Sequence, residues 1–117
     1  PIQLAGWDNE RDMLYVDDAA TGIVAALNGP PNVYNLGTGE GVTVGRIAGA
    51  VVNACMDVCG EEFDCDMVRA EGGTTGAPRK GVDPSRANEV LKWVPKVGLD
   101  DGVERTVRWW HEHGGTT

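Results

Sequence analysis

The chain reads as an α/β protein, and two observations carry that reading. Short apolar strands alternate with helical stretches whose apolar residues recur every three to four positions. One strand also runs through a glycine loop straight into a helix, over "NVYNLGTGEGVTVGRIAGAV". Three to four helices around short strands are expected.

Residues 1–6 ("PIQLAG") and 11–15 ("RDMLY") read as two strands joined by a polar turn at Trp7 to Glu10, with Asp8 and Asn9 as turn formers. A hairpin is the simplest pairing. Asp17 then caps a helix whose stripe is Val16, Ala19, Ala20, Ile23, Val24 and Leu27, stopped by Gly29-Pro30-Pro31. A strand follows near Val33 to Leu36. Thr43 caps a second helix with the stripe Val44, Ile47, Ala48, Val51, Val52 and Cys55.

The segment "EFDCDMVRA" predicts a strand with Phe63, Cys65, Met67 and Arg69 on one face, and "EGGTTGAP" predicts an exposed loop. Asp83 and Pro84 predict a helix start, as N-cap and first helical residue. Its stripe is Ala87, Val90 and Leu91, and it ends near Trp93 because Pro95 biases Val94 toward an extended backbone. Asp100 caps a last helix with Val103, Val107 and Trp110 inward, closed by Gly114-Gly115.

At 117 residues the chain is one domain or part of one, and a two-domain enzyme is not expected. It opens at Pro1 without a basic and apolar leader and contains no apolar run near the length of a membrane span, so the expectation is a soluble, cytoplasmic piece of something longer. Ten Lys and Arg against eighteen Asp and Glu give a net charge of −8, which disfavours nucleic acid as a partner. Cys55, Cys59 and Cys65 match neither a redox pair nor a four-ligand zinc set. They read as reduced structural cysteines; a metal site would need His111 or His113 to join them, and no metal is expected.

The loop Gly37-Thr38-Gly39-Glu40-Gly41 has neither dinucleotide nor P-loop spacing, because Val42 stands where a glycine is needed and Arg46-Ile47 where Lys-Ser/Thr is needed. A tight connection explains it better than phosphate binding. Ser85, in the first turn of its helix, has no nucleophile motif around it. The pairs Asp17-Asp18 and Asp100-Asp101 suit helix starts, where the macrodipole favours negative charge. Three cations at loop edges remain: Arg11, Arg79 and Lys80. From spacing alone they are either solvated surface charge or a set converging on a small anion such as a diphosphate.

Three stretches taken together carry a resemblance: "RDMLYVDDAATGIVAAL" (11–27), "VYNLGTGEGVTVGRIAGAV" (33–51) and "GAPRKGVDPSRANEVLKWVPKVGLDDGVERTVRWW" (76–110). In this order they resemble the C-terminal half of the extended short-chain dehydrogenase/reductases, the NAD(P)-dependent nucleotide-sugar epimerases, dehydratases and reductases. The run "GAPRKGVDPSR" is most similar to the GDP-fucose synthase pattern. The resemblance implies that Arg11 and Lys80 contact a nucleoside diphosphate, with Arg79 as their neighbour. Residues 73–76, Gly-Thr-Thr-Gly, depart from the Arg-Pro-Gly-Asp of many epimerases and leave the sugar open, whether GDP-, UDP- or dTDP-linked.

The family's glycine fingerprint for NAD or NADP and its Tyr-x-x-x-Lys pair have no counterpart here. Tyr15 is followed four residues later by Ala19, and Tyr34 by Thr38. The resemblance therefore implies a substrate-binding segment over residues 1–117, lacking the cofactor half, holding no cofactor of its own and catalytically incomplete alone. The strand at Val33 to Leu36 would lack its neighbour in the family's sheet, so a homo-oligomer through that edge is expected. The alternative is a free-standing, non-catalytic binding or oligomerisation module.

Overall fold

A computed structural model describes residues 1–60, 63, 65–72 and 76–114. The elements follow the order β1 (Ile2–Leu4), β2 (Glu10–Arg11), α1 (Val16–Asn28), β3 (Val42–Thr43), α2 (Val44–Cys59), β4 (Met67–Arg69), β5 (Arg79–Lys80), α3 (Ser85–Val90) and α4 (Leu99–His113). The mixed α/β class is as the sequence predicts.

The hairpin is not formed. β1 pairs in parallel with β4, setting Ile2 opposite Met67 and Leu4 opposite Arg69. β2 instead lies between β3, antiparallel, and β5, parallel. The turn itself is present, since Asn9 N–H donates to the Gly6 carbonyl at 2.9 Å. It redirects the chain rather than folding β2 back, because the carbonyls of Trp7 and Asn9 accept the backbone N–H groups of Gly45 and Val44 at 3.0 and 2.9 Å. The turn is thereby bonded to the start of α2.

Residues Val33 to Leu36 form no strand; no neighbouring strand supplies ladder partners among the described residues. The expected strand at 62–70 is reduced to Met67–Arg69, and its positions Glu62 and Asp64 lie outside the described residues. Of the predicted exposed loop, Glu71, Gly72 and Gly76 to Pro78 are exposed, and residues 73–75 lie outside the described set.

Helix boundaries shift by the local chemistry of their caps. Thr43 caps α2 as expected, its hydroxyl accepting the Arg46 N–H at 3.1 Å. Tyr15, not Asp17, is the N-cap of α1. α3 starts at Ser85 after Pro84, with Asp83 accepting the Ser85 N–H at 3.0 Å from just outside. It closes before Pro95 can act, because Lys92 takes a positive φ of 54° and Trp93 N–H reaches back to the Ala87 carbonyl. Gly98 caps α4, and the Asp100 carboxylate instead accepts two hydrogen bonds from the Arg46 guanidinium at 2.7 and 3.0 Å.

The core is thin and built on small residues. Ala50, Ala54, Ala87 and Trp93 are the buried apolar side chains among the described residues. α4 packs on α2 over its Ala50 and Ala54 face while Gly45 lies against Trp7, so close approach favours the small positions over the predicted stripe. Ile47, Val51 and Cys55 line an apolar groove of about 450 Å³ beside that contact, roofed in part by Trp110, which is 56% exposed rather than inward. The α1 stripe is likewise uncovered, with Ile23, Val24 and Leu27 exposed. What α1 buries is its opposite side: a Cβ on Gly22 would stand 2.8 Å from Leu36 and 3.1 Å from Trp93.

These exposures add up. The accessible surface is 8050 Å², against about 6100 Å² for a compact monomer of this mass. The radius of gyration is 16.6 Å, against about 13 Å for a compact domain of this length. The chain leaves apolar surface that a self-sufficient domain would bury.

Candidate functional site

The three candidate cations meet at one place, the β2–β5 ladder. Glu10 is the register partner of Arg79 and Arg11 that of Lys80. Successive side chains on a strand point to opposite faces, so Arg11 and Lys80 stand abreast on one face while Arg79 stands with Glu10 on the other. The structure thus brings Arg11 and Lys80 together and sets Arg79 apart from them.

Each cation is held differently. The Arg11 guanidinium donates through Nη1 to the carbonyls of Glu10 and Ala77 at 2.7 and 2.9 Å, which fixes its direction under the 76–78 backbone. Arg79 Nε donates to Glu10 Oε2 at 2.6 Å, and that bond holds the guanidinium above its ordinary range. Lys80 is exposed, and among the described residues no ion pair engages its ammonium.

The glycine loop next to this ladder is closed to anions by the protein's own carboxylate. Asp12 Oδ1 accepts the Thr38 N–H and hydroxyl at 3.0 and 2.7 Å, and its Oδ2 accepts the Gly39 N–H at 2.9 Å. A Cβ on Gly37 would overlap Val82 and approach Asp12, and Gly39 sits at a φ of 78°. Glycine is required here for packing and backbone shape. The N–H groups that a pyrophosphate would need are taken, so this loop does not fit NAD or NADP. No signal in the sequence marks Asp12 for this role beyond its place after Arg11.

Asp18 also departs from its expected role. It is 4% exposed, and its carboxylate accepts the backbone N–H groups of Lys96 and Val97 at 3.0 and 2.9 Å. Trp93 Nε1 donates to the Asp18 carbonyl and to the Thr21 hydroxyl, so one turn of α1 anchors the whole 93–97 segment. Ser85 donates its hydroxyl to Asp83, which holds that carboxyl below the usual range.

The cysteines are free, and burial pushes the Cys55 thiol up. Cys59 Sγ lies 3.8 Å from His111 Nδ1, while His113 stacks on Trp109. Among the described residues no group of three His, Cys, Asp or Glu side chains has the geometry to hold a metal. No helix among them is long and apolar enough to cross a membrane.

Comparison with known proteins agrees with this architecture. Probable GDP-L-fucose synthase 1 of Oryza sativa subsp. japonica is 33% identical over 105 residues, covering 88% of this chain and 30% of that protein. The crystal structure of UDP-glucose 4-epimerase with UDP-glucose from Thermotoga maritima matches at a TM-score of 0.78 and 27% identity, over 95% of this chain and 35% of that one. The structure of RMD from Pseudomonas aeruginosa complexed with NADPH shares the fold at a TM-score of 0.79 and 15% identity, again over 95% and 36%. This chain spans about a third of the length of these proteins.

The fold and its relatives define an extended short-chain dehydrogenase/reductase of the nucleotide-sugar epimerase and dehydratase class. Residues 1–106 match the family model of GDP-mannose 4,6 dehydratase, and the chain belongs to that family.

Proposed function

We propose that this chain binds the diphosphate of a nucleotide sugar through Arg11 and Lys80, as the C-terminal, substrate-side segment of an NAD(P)-dependent epimerase, dehydratase or reductase. The observation that carries the reading is the register of the ladder, which sets the two cations abreast on one face. A planar guanidinium fork beside a mobile ammonium suits a diphosphate, whose two charged groups offer several acceptor oxygens. Arg79 flanks the pair from the other face and adds to the local positive field in a chain of net charge −8.

The NAD or NADP of an intact enzyme we assign to a part of the fold outside these residues, since the glycine loop here is spent on Asp12. In such an enzyme, binding energy from the diphosphate positions the sugar at the reacting centre without taking part in the chemistry. The chain alone would then bind but not turn over. Its three free cysteines suit the cytoplasm, the location we assign.

Calorimetry with GDP-, UDP- and dTDP-linked sugars, on wild type and Lys80→Ala, tests the assignment. Removing one charge-assisted contact should weaken the preferred nucleotide sugar about tenfold or more. Binding that is indifferent to Lys80, or absent for all three classes, sinks the clamp.

A second reading, an oligomerisation module, is favoured by the uncovered apolar face of α1. Ile23, Val24, Leu27 and Val33 are each more than half exposed, and among the described residues no strand pairs with the backbone of 33–36. Such a surface favours pairing with a second copy of the chain. The two readings are compatible, because the α1 face and the β2–β5 ladder involve different residues.

A further inference from the structure

β2 and β5 are each two residues long, and a pairing so short is weakly held by backbone bonds alone. The approach to β5 passes through Gly72 and Gly76, both at positive φ, and a Cβ on Gly81 just after it would meet nothing within 4 Å. Among the described residues, β2 is the one strand that pairs with β5. The anchors of β5 among the described residues come from Glu10 and Arg11: Glu10 N–H donates to the Pro78 carbonyl at 2.8 Å, Arg11 Nη1 to the Ala77 carbonyl at 2.9 Å, and Glu10 Oε2 accepts from Arg79 Nε at 2.6 Å. A slip of one residue would carry Lys80 to the opposite face, away from Arg11.

We propose that Glu10 is a positioning residue for the diphosphate site: through Arg79 it holds β5 in the register that keeps Lys80 abreast of Arg11. The inference rests on the reading of Arg11 and Lys80 as the diphosphate contacts. It gives Arg79 a role its own placement supports, as the partner that locks the ladder rather than a third ligand to the anion. The Glu10 side chain is well placed for this. It is 31% exposed, against 82% for Arg79, and Gly41 of the neighbouring segment lies against it, so that a Cβ there would stand 3.3 Å from the Glu10 Cβ. A carboxylate packed on one side loses less freedom on pairing than two fully solvated chains do.

The test is calorimetry on the full chain with GDP, UDP and dTDP as probes, comparing Glu10→Gln, Arg79→Gln, the exchanged pair Glu10→Arg with Arg79→Glu, and Lys80→Ala. A pair this exposed supports about a threefold to fivefold weakening in each single neutral variant, with the melting temperature unchanged. The exchanged pair should return affinity to within about twofold of wild type, since it keeps the ladder pairing while moving both charges. Restoration is the readout that simple loss of a surface charge would not give. If Lys80→Ala weakens binding and Glu10→Gln does not, or the exchanged pair fails to recover, the positioning role is overturned. If Lys80→Ala also leaves binding untouched, the diphosphate reading has failed and this inference falls with it.

Discussion

Asp12 and Thr38 are joined twice, the carboxylate accepting both the backbone N–H and the hydroxyl of Thr38 while its other oxygen takes the Gly39 N–H. This ties the end of β2 to the glycine loop and fixes the base of the ladder that carries Arg11. Bonds from a carboxylate to backbone donors are among the stronger ones, and removing their acceptor strands those donors. Asp12→Ala should cost about 2–3 kcal/mol, and Thr38→Val about 1 kcal/mol, because the latter keeps both backbone bonds. Urea denaturation followed by tryptophan fluorescence measures both; equal costs would mean the hydroxyl, not the loop backbone, carries the latch.

Glycines on helices separate by what faces them. A Cβ at Gly22 would press on Leu36 and Trp93, whereas at Gly49 it would meet nothing within 4 Å. Gly22→Ala should therefore destabilise by about 1–3 kcal/mol through overpacking. Gly49→Ala should stabilise by about 0.5–1 kcal/mol through helix propensity. Thermal melts of the two variants should move in opposite directions.

Local chemistry and remote partnership divide what the sequence makes legible. The Thr43 cap and the α2 periodicity are both readable, because each is decided within one or two turns. β1 is readable as a strand, but its partner Met67–Arg69 lies some sixty residues on, and the Asp8-Asn9 turn suggests a nearer neighbour. The stripes of α1 and α4 announce apolar faces without saying what covers them, and here Leu27 and Trp110 remain exposed. The site follows the same division. Arg11 and Lys80 emerge through resemblance, whereas the bonds of Glu10 to Arg79 and of Asp12 to Thr38 span the fold and leave no pattern in the sequence.

The acid side of the stability profile should be set by surface carboxylates bonded in the native state. Bonding to Arg69, Ser85 and Arg46 lowers Asp8, Asp83 and Asp100 respectively. A carboxyl lowered by folding adds stability that is complete above its unfolded value, about 3.9, and is lost as pH falls through the folded one. Asp100→Asn should thus lower stability slightly at pH 7, leave it nearly unchanged at the acid end, and by that difference flatten the loss below about pH 4. Urea titrations at stepped pH give the slope, and an unchanged slope would assign the acid loss elsewhere.

The exposed stripe of α1 makes a prediction about assembly. If a second copy covers it, a charge at its centre must be buried without a partner, which an interface tolerates poorly. Leu27→Glu, at a position 79% exposed, should leave the fold's stability nearly unchanged and shift sedimentation toward the monomer. A species of unchanged size in the variant would show that the face takes no part in self-association.

Asp17 and Asp18 are neighbours in sequence and opposites in consequence. Asp17 lies exposed in the first turn of α1, where its charge favours the helix dipole, a contribution of about 0.3–1 kcal/mol, and acts at longer range on the Arg105 guanidinium. Asp18 is buried and alone accepts the N–H groups of Lys96 and Val97, which holds the segment leading from Trp93 to α4. Removing its carboxylate strands two donors at once, so Asp18→Ala should cost about 2–4 kcal/mol. Asp18→Asn should fall between, since one amide oxygen can still accept while the amide nitrogen opposes the second N–H. Because Trp93 Nε1 bonds to the same turn, the Asp18 variants should also alter the native tryptophan emission, and Asp17→Ala should not. Equal costs for the two alanine variants would show that both aspartates act on the dipole alone.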